Sequence, residues 1–353
     1  MAIFCLATDL ADLTCRLGRV QVGISIEGTP ILASDLQAEG AMTALLKDAF
    51  QPNLVQTLEG SPALLHGGPF ANIAHGCNTL VATQTALRLA DYVVTEAGFG
   101  ADLGAEKFMD IKCRQSGLRP DMAVVVATVR ALKYHGGVEV ADLNTENLAA
   151  LEVGTANLKK HVDNLSQHFG LPVLVALNHF THDTEAEVAQ LQSSVESWGS
   201  SLHVCRHWAQ GGEGALDLAH AVARMAQKTA NPRLLYQDDL SLADKLRAIA
   251  QSLYAANDVT FSAQAEQQLQ ALAEMGQGLP VCVAKTQYSL SCDAKLRNVP
   301  TGHSLHVREL RLSRGAGFVV AICGDIMTMP GLPKQPASHR ISVAADGKII
   351  GLS

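Results

Sequence analysis

EGSPALLHGGPFANIAHG, residues 59–76, and TEAGFGADLGAEK, residues 95–107, are the two glycine-rich segments that decide how this sequence folds. Residues 78–89 lie between them and carry Ala, Leu and Thr at helical spacing, so we expect one helix to separate the two segments. Glycine gives up the most backbone freedom on folding and accumulates where the chain turns sharply or lies close to another group. Here the glycines alternate with histidines and carboxylates, a mixture that suits a polar ligand better than a core.

The second segment directly follows residues 91–95, Asp-Tyr-Val-Val-Thr, which we predict to be a buried strand. In α/β proteins the loops at the carboxyl ends of parallel strands hold the binding site. Either segment alone fits an ordinary turn. Together, with a strand running into one of them, they indicate a functional loop.

The glycine spacing in residues 98–104 is close to the fingerprint of a nicotinamide-dinucleotide site. That fingerprint needs its third glycine one position earlier. The carboxylates of Glu96, Asp102 and Glu106 would also repel a pyrophosphate. We therefore do not assign a dinucleotide to this loop.

Composition limits the class of protein. The chain has 353 residues, of which 48% are hydrophobic and 17% charged, as in a soluble globular protein. Its net charge of −7 is spread along the chain and leaves no basic stripe for nucleic acid. No apolar run approaches the roughly 20 residues of a membrane span, and the first residues, with Asp9 and Asp12 and no basic start, do not read as a signal peptide.

Eight cysteines occur without a Cys-x-x-Cys pair. This usage fits buried thiols in a reducing compartment better than a disulfide framework or a zinc site. We expect a cytoplasmic protein.

Strand, loop and helix alternate through the middle of the chain, which predicts a doubly wound, mostly parallel α/β sheet. The expected strands are residues 122–129, 171–177 and 202–205, and the expected helices are 107–116, 144–169, 185–198 and 215–228. After residue 231 the pattern changes to helices at 240–253 and 262–275, a turn at 258–261, and short strands at 280–284 and 317–322. We divide the chain into residues 1–140, an α/β domain with the glycine-rich loops, 141–230, a second α/β domain, and 231–353, a smaller α+β lobe.

The two glycine-rich segments resemble one known family. LEGSPALLHGGPFANIAHGCNT, residues 58–79, and ADYVVTEAGFGADLGAEKFMDIKCR, residues 90–114, are similar to formate–tetrahydrofolate ligases, ATP-dependent enzymes that make 10-formyltetrahydrofolate. The resemblance extends from the first residues to GDIMTMPGLPK, residues 324–334, and includes Lys285-Thr-Gln-Tyr288. It implies Mg-ATP, formate and tetrahydrofolate as ligands, allows a monovalent-cation site, and implies a homo-oligomer, since members of the family form tetramers.

The family also carries a phosphate-binding loop that ends in Gly-Lys-Thr. No such loop occurs here, because the only Gly-Lys pair, Gly347-Lys348 in the turn at residues 345–347, is followed by Ile349. Residues 1–17 read as one helix without an N-cap. We therefore expect the C-terminal two-thirds of a ligase, with a P-loop NTPase-like but incomplete sheet and little activity alone. Two alternatives are a non-catalytic folate-binding module and one chain of a split ligase or scaffold, completed by a partner with the P-loop.

His66, His75 and Asn72 are the candidate catalytic residues. Imidazole and amide groups in one glycine-rich loop can hold a phosphoanhydride or formyl group through hydrogen bonds or a protonated ring. A single histidine is more often structural. The resemblance implies that this loop borders the meeting point of formate, ATP and folate, and the loop residues expected to contact ligands are Gly67, Gly68, Pro69, Glu96, Gly98, Gly100 and Asp102.

Phe180 and Trp208 follow two successive predicted strands at matching positions. Two such aromatic side chains can form a slot for a flat ring, although spacing alone slightly favours two residues that cover the core. The family resemblance implies the slot, because its N-x-F and W-A-x-G-G-E-G motifs hold the pterin ring. The expected folate-binding residues are Asn178, Phe180, Trp208, Phe99, Gly211 and Gly212.

The sequence departs from the family at several positions near this slot. His179 replaces a residue that is usually basic, Gln210 replaces a usual Lys, and residues 181–182 replace a motif in which Pro is common. His303 stands where the family commonly has an aromatic residue. Two missing positive charges should weaken the attraction for the anionic folate tail.

Overall fold

The computed structural model describes residues 1–326 and 334–351. The helices are α1 Ala2–Leu6, α2 Leu10–Gly18, α3 Glu39–Leu46, α4 Leu80–Leu89, α5 Arg114–Ser116, α6 Val129–His135, α7 Leu148–Asp163, α8 Glu185–Ser197, α9 His207–Gln210, α10 Leu216–Met225, α11 Leu242–Tyr254 and α12 Ala263–Leu272. The strands are β1 Gln21–Ile24, β2 Pro30–Leu32, β3 Asn53–Gln56, β4 Pro62–Leu65, β5 Ala123–Ala127, β6 Val173–Asn178, β7 Ser201–Cys205, β8 Asp258–Phe261, β9 Val281–Ala284, β10 Ser304–Ser313, β11 Phe318–Cys323, β12 Ser342–Val343 and β13 Ile349–Ile350. Residues 327–333, within the tail where prolines argue against a helix, lie outside the described residues.

The sheet that places the candidate site contains β5, β6 and β7, all parallel and in that order. The middle strand, β6, is buried over Val173–Leu177 because both its faces are covered. The predicted α/β class with a parallel sheet is therefore confirmed. β5 is an edge strand of this sheet, and its Val124 and Val126 are exposed.

The second sheet, in the order β8-β10-β11-β9, is mixed. β8 runs parallel to β10, β10 antiparallel to β11, and β11 parallel to β9. Residues 258–261, predicted as a turn, are therefore strand β8. The prediction failed because four residues carry little periodic signal and because β10, the strand that β8 pairs with, was not predicted at all.

Residues 91–95 are not part of a sheet, which contradicts the predicted buried strand. Tyr92 is 54% exposed and Val94 is 87% exposed. An extended segment becomes a stable strand only when a neighbouring strand takes its backbone hydrogen bonds, and no strand within residues 1–326 and 334–351 pairs with it. The prediction of a buried strand was wrong, because an apolar pattern forms a strand only beside a neighbour and none is present among the described elements.

The first 65 residues form more separate secondary-structure elements than the sequence pattern indicates. The single helix expected over residues 1–17 is two helices, α1 and α2, separated at Ala7–Asp9, where the carboxylate of Asp9 accepts the backbone N–H of Asp12 at 2.8 Å. β3 forms an antiparallel hairpin with β4. β1 and β2 form a second antiparallel hairpin.

One large hydrophobic cluster joins the parallel sheet to the C-terminal sheet. It includes Val175 and Leu177 of β6, Leu246 of α11 and Val283 of β9. The boundaries proposed at residues 140 and 230 thus cross a shared core, and the division into three domains stays a prediction. None of the helices in the described ranges is both long and apolar enough to cross a membrane.

Helices α6 and α7 approach each other through glycines. A Cβ added at Gly154 would lie 1.8 Å from the carbonyl oxygen of Leu132, and one added at Gly136 would lie 1.9 Å from the carbonyl oxygen of Ala150. The neighbours are backbone atoms and cannot rotate away. α6 carries the first residues that follow β5, so this contact fixes one wall of the candidate site.

Gly154→Ala should destabilise the protein although alanine is the better helix former. The gain in helix propensity of about 1 kcal/mol is outweighed by overpacking, which typically costs about 1–3 kcal/mol. The matched control is Gly40→Ala in α3, where nothing lies within 4 Å of the added Cβ, and it should stabilise by about 0.5–1 kcal/mol. Urea unfolding measures both, and equal effects of the two substitutions would contradict the close helix contact.

Candidate functional site

The two glycine-rich segments lie side by side. The backbone N–H of Gly98 donates to the carbonyl of Gly76 at 2.9 Å, and the buried ammonium of Lys107 donates to the carbonyl of Ala71. Gly76 has φ +65, and a Cβ added there would lie 2.2 Å from the Cβ of Ala71. Glycine is required at this position both by the left-handed backbone and by the close approach.

His66 is buried within the first segment and acts as a structural link. Its Nε2 lies 2.8 Å from the carbonyl oxygen of Ala49, so this nitrogen donates, and its Nδ1 accepts from the hydroxyl of Thr79 at 2.7 Å. Thr79 in turn caps α4 through the N–H of Ala82. Both ring nitrogens are used, so the geometry favours a supporting role over ligand contact.

His75 is completely buried, and neither ring nitrogen has a hydrogen-bond partner among the described residues. Burial, followed by the positive charges of Lys112 and Lys107, lowers the pKa of His75 to about 3. The ring is therefore neutral at physiological pH. It cannot stabilise an anion as a protonated imidazole.

Phe99 lies in the middle of the second segment, has φ +62 and is 51% exposed. A left-handed conformation is uncommon for a bulky residue and is found most often where a site depends on it. Exposed Glu96 precedes it, and Gly100 follows, where a Cβ would lie 2.5 Å from Oδ1 of Asp102 and 3.1 Å from Cε1 of His161.

Asp102 lies beneath this loop and does not face solvent. Its Oδ2 accepts from the ammonium of Lys285 at 2.7 Å, and both side chains are buried. Burial raises the pKa of Asp102, but the charges of Lys285 and His161 outweigh burial, so its net pKa is below the usual value. Lys285 also donates to the carbonyl of Ser289 at 2.5 Å. In the sequence Lys285 stands only within the motif Lys285-Thr-Gln-Tyr288, and no local pattern indicates Asp102 as its partner.

Phe180 and Trp208 are exposed after adjacent strands. Phe180 is 47% exposed and Trp208 is 92% exposed. Their loops are joined by a hydrogen bond of 3.1 Å from the N–H of His179 to the carbonyl of Cys205. The backbone at Phe180 is fixed by Asp183, whose carboxylate accepts its N–H at 2.8 Å. Neither ring stacks on another aromatic side chain in the described part of the chain.

The loop after β7 also contacts the first glycine-rich segment. The N–H of Gly212 donates to the carboxylate of Glu59, and Gly211, with φ +59, lies beside it. Asn178, the last residue of β6, is half-buried beside this edge. The structure thus brings the loops after β6 and β7 together and ties the second of them to residue 59.

Arg130 is a site residue that the sequence analysis missed. It follows β5 by three positions, and the rule that selected Phe180 after β6 and Trp208 after β7 would have selected it after β5. Arg130 lines a cavity of about 310 Å³ together with Leu143, Asn144, Phe180, His182 and Asp183.

The burial of His75 predicts a pH dependence of stability. The unfolded chain binds a proton at this residue below about pH 6.5, whereas the folded chain does so only near pH 3. The unfolded state therefore binds more protons between these values, and the free energy of unfolding falls as the pH is lowered through that window. Between pH 7 and pH 5, the free energy of unfolding of the unchanged protein should fall by about 2 kcal/mol more than that of His75→Gln.

Urea unfolding at several pH values measures this difference. The control is His220→Gln, an exposed residue of α10, which should leave the pH dependence as it is. Parallel stability curves for the unchanged protein and His75→Gln would show that His75 takes up a proton in the folded state.

Comparison with known proteins adds a family to this geometry. The family model described as Formate--tetrahydrofolate ligase matches residues 1–353. Proteins with the same name from Methylibium petroleiphilum, Methylobacterium sp. and Paracoccus denitrificans are 57%, 60% and 59% identical to the chain. Each match covers 100% of this chain and 64%, 64% and 63% of the relative, so the chain spans a little under two-thirds of the length of these relatives. The chain belongs to the formate–tetrahydrofolate ligase family.

Proposed function

We propose that this chain forms the tetrahydrofolate site of a formate–tetrahydrofolate ligase and receives the pterin ring between Phe180 and Trp208. The observation that carries this proposal is the pair of exposed aromatic rings at the carboxyl edge of β6 and β7, in loops that are hydrogen-bonded to each other. Aromatic side chains that a fixed loop holds exposed keep apolar surface in contact with water, which is unfavourable. Such rings are suited to stacking on a planar ligand. Family membership supports the same ligand.

The ligase reaction has two steps. The γ-phosphate of ATP is transferred to formate, and N10 of tetrahydrofolate then attacks the carbonyl carbon of formyl phosphate, which releases phosphate. The residues of this chain bind and orient the folate and hold the formyl group beside its N10. We assign folate contacts to Asn178, Phe180, Trp208, Phe99, Gly211 and Gly212.

We assign the formyl side of the site to the two glycine-rich segments. Backbone N–H groups that are held in place can stabilise the oxygen that becomes negative during acyl transfer. The residues proposed to border the formyl group are Gly67, Gly68, Pro69, Asn72, Glu96, Gly98 and Gly100. In this proposal His66, His75 and Asp102 support the segments from below, which rests on the burial of all three side chains and on the hydrogen bonds of His66 and Asp102.

ATP binding needs a group that this sequence does not contain. Phosphoryl transfer depends on charge neutralisation by Mg²⁺ and by a phosphate-binding loop, and residues 1–353 contain no Gly-Lys-Thr loop. No step involving the nucleotide is therefore assigned to these residues. We propose that this polypeptide alone binds folate but turns over little. We further propose that a P-loop polypeptide completes it beside residues 91–95 and the outer edge of β5, which pair with no strand in the ranges 1–326 and 334–351.

Tetrahydrofolate should quench the fluorescence of this chain through Trp208. The chain has two tryptophans, and Trp198 lies at the end of α8 away from the loops after β6 and β7. Trp208→Phe should abolish most of the quenching, whereas Trp198→Phe should retain it. A titration that gives no quenching, or quenching that Trp198→Phe removes, would contradict the folate site.

The same preparations distinguish the proposed ligase part from a non-catalytic module. Formate-dependent ADP release should be near background for the chain alone. It should rise when the P-loop portion of a relative, the part of its length outside the match, is added. Binding without any rise would favour the module, and full turnover by the chain alone would refute the need for a second polypeptide.

A further inference from the structure

The cavity beside Phe180 extends the candidate site away from Trp208. Its walls are the start of α6, the loop before α7 and the loop between β6 and α8. Its volume of about 310 Å³ is at the lower end of typical ligand pockets. Among its six lining residues, Arg130 is the only one with a fixed positive charge.

A buried ion pair holds these walls in place. Oε1 of Glu187 accepts from the ammonium of Lys133 at 2.8 Å and from the N–H of Asn147 at 3.0 Å. Oε2 of the same carboxylate accepts from the N–H of Thr184 at 3.1 Å. The ammonium of Lys133 also donates to the carbonyl of Thr145 at 2.8 Å.

These contacts join all three walls. Lys133 belongs to α6, residues 145–147 to the loop before α7, and Thr184 to the loop that carries Phe180. Lys133 and Glu187 are almost completely buried, so the pair is shielded from water and salt. A cavity whose walls are fixed in advance loses little entropy when a ligand binds.

Arg130 keeps hydrogen-bonding capacity for a ligand. One terminal nitrogen, Nη1, donates to Oδ1 of Asn144 at 2.6 Å. Its Nε and Nη2 have no acceptor within residues 1–326 and 334–351, and no carboxylate there forms an ion pair with it. The nearby carboxylate of Asp183 is engaged with the N–H of Phe180. A guanidinium in this state can bind a carboxylate with two parallel hydrogen bonds.

We propose that Arg130 binds a carboxylate of the glutamate tail when the pterin ring of the ligand stacks on Phe180. This inference rests on the proposed function, since the ring on Phe180 determines where the tail lies. Arg130 supplies a fixed positive charge, which neither His179 nor Gln210 supplies. It makes the site selective for folates that carry the tail over pterins that lack it.

Arg130→Met tests the inference, with two ligands that share the reduced pterin ring. Tetrahydrofolate carries the glutamate tail, and 6-methyltetrahydropterin does not. Fluorescence titration should show that Arg130→Met weakens tetrahydrofolate binding at least tenfold and leaves 6-methyltetrahydropterin binding unchanged. Arg130→Lys should give an intermediate affinity for tetrahydrofolate, because lysine keeps the charge but not the paired donors.

Arg119→Met is the matched control, since Arg119 is exposed and lies outside this cavity. It should leave both affinities unchanged, and thermal unfolding of each variant shows whether the fold is retained. Equal affinities of Arg130→Met and the unchanged protein for tetrahydrofolate would refute the inference alone. An equal loss for both ligands would also refute it, because the tail would then not be involved. Failure of the unchanged protein to bind either ligand would instead refute the folate site, and this inference with it.

Discussion

The buried ion pair between Lys285 and Asp102 is the interaction on which the rest of the site depends. It joins the end of β9, in the C-terminal sheet, to the turn directly below Phe99. Two charges removed from water are costly, and such a pair is tolerated only when other hydrogen bonds complete it, as the carbonyls of Ser289 and Thr286 do here. Loss of one partner from a buried pair costs about 3–5 kcal/mol. Since the pKa of Asp102 is lowered, its contribution is present above its ordinary value and is lost in acid.

This pair explains why the glycine-rich loop has a defined shape although few side chains cover it. Phe99 lies three positions before Asp102, has a left-handed backbone and is about half-exposed. A comparable arrangement supports the opposite wall, where Lys133 and Glu187 fix the loop of Phe180. In both places buried charges hold a loop, and the exposed ring on that loop remains available for a ligand.

The parallel sheet could be predicted from the sequence because its signals are local. Residues 171–177 are apolar throughout, and Thr184 caps α8, with Glu187 completing the capping box. Contacts between distant residues gave no such signal. Asp102 and Lys285 are 183 positions apart. β10 did carry a local signal that was missed, because its alternating polar and apolar residues are the pattern of a strand with one buried face. Arg130 could have been found by applying the strand-end rule to β5, and His66 could not have been recognised as structural before Ala49 and Thr79 were placed beside it.

The central claim is that the loops after β6 and β7 receive a pterin ring. The most direct measurement is the structure of this chain with tetrahydrofolate bound. The account predicts a pterin ring stacked on Phe180 and facing Trp208, with the aminobenzoyl group leading towards Arg130. A ligand bound elsewhere, or one that leaves both rings in contact with solvent, would contradict it.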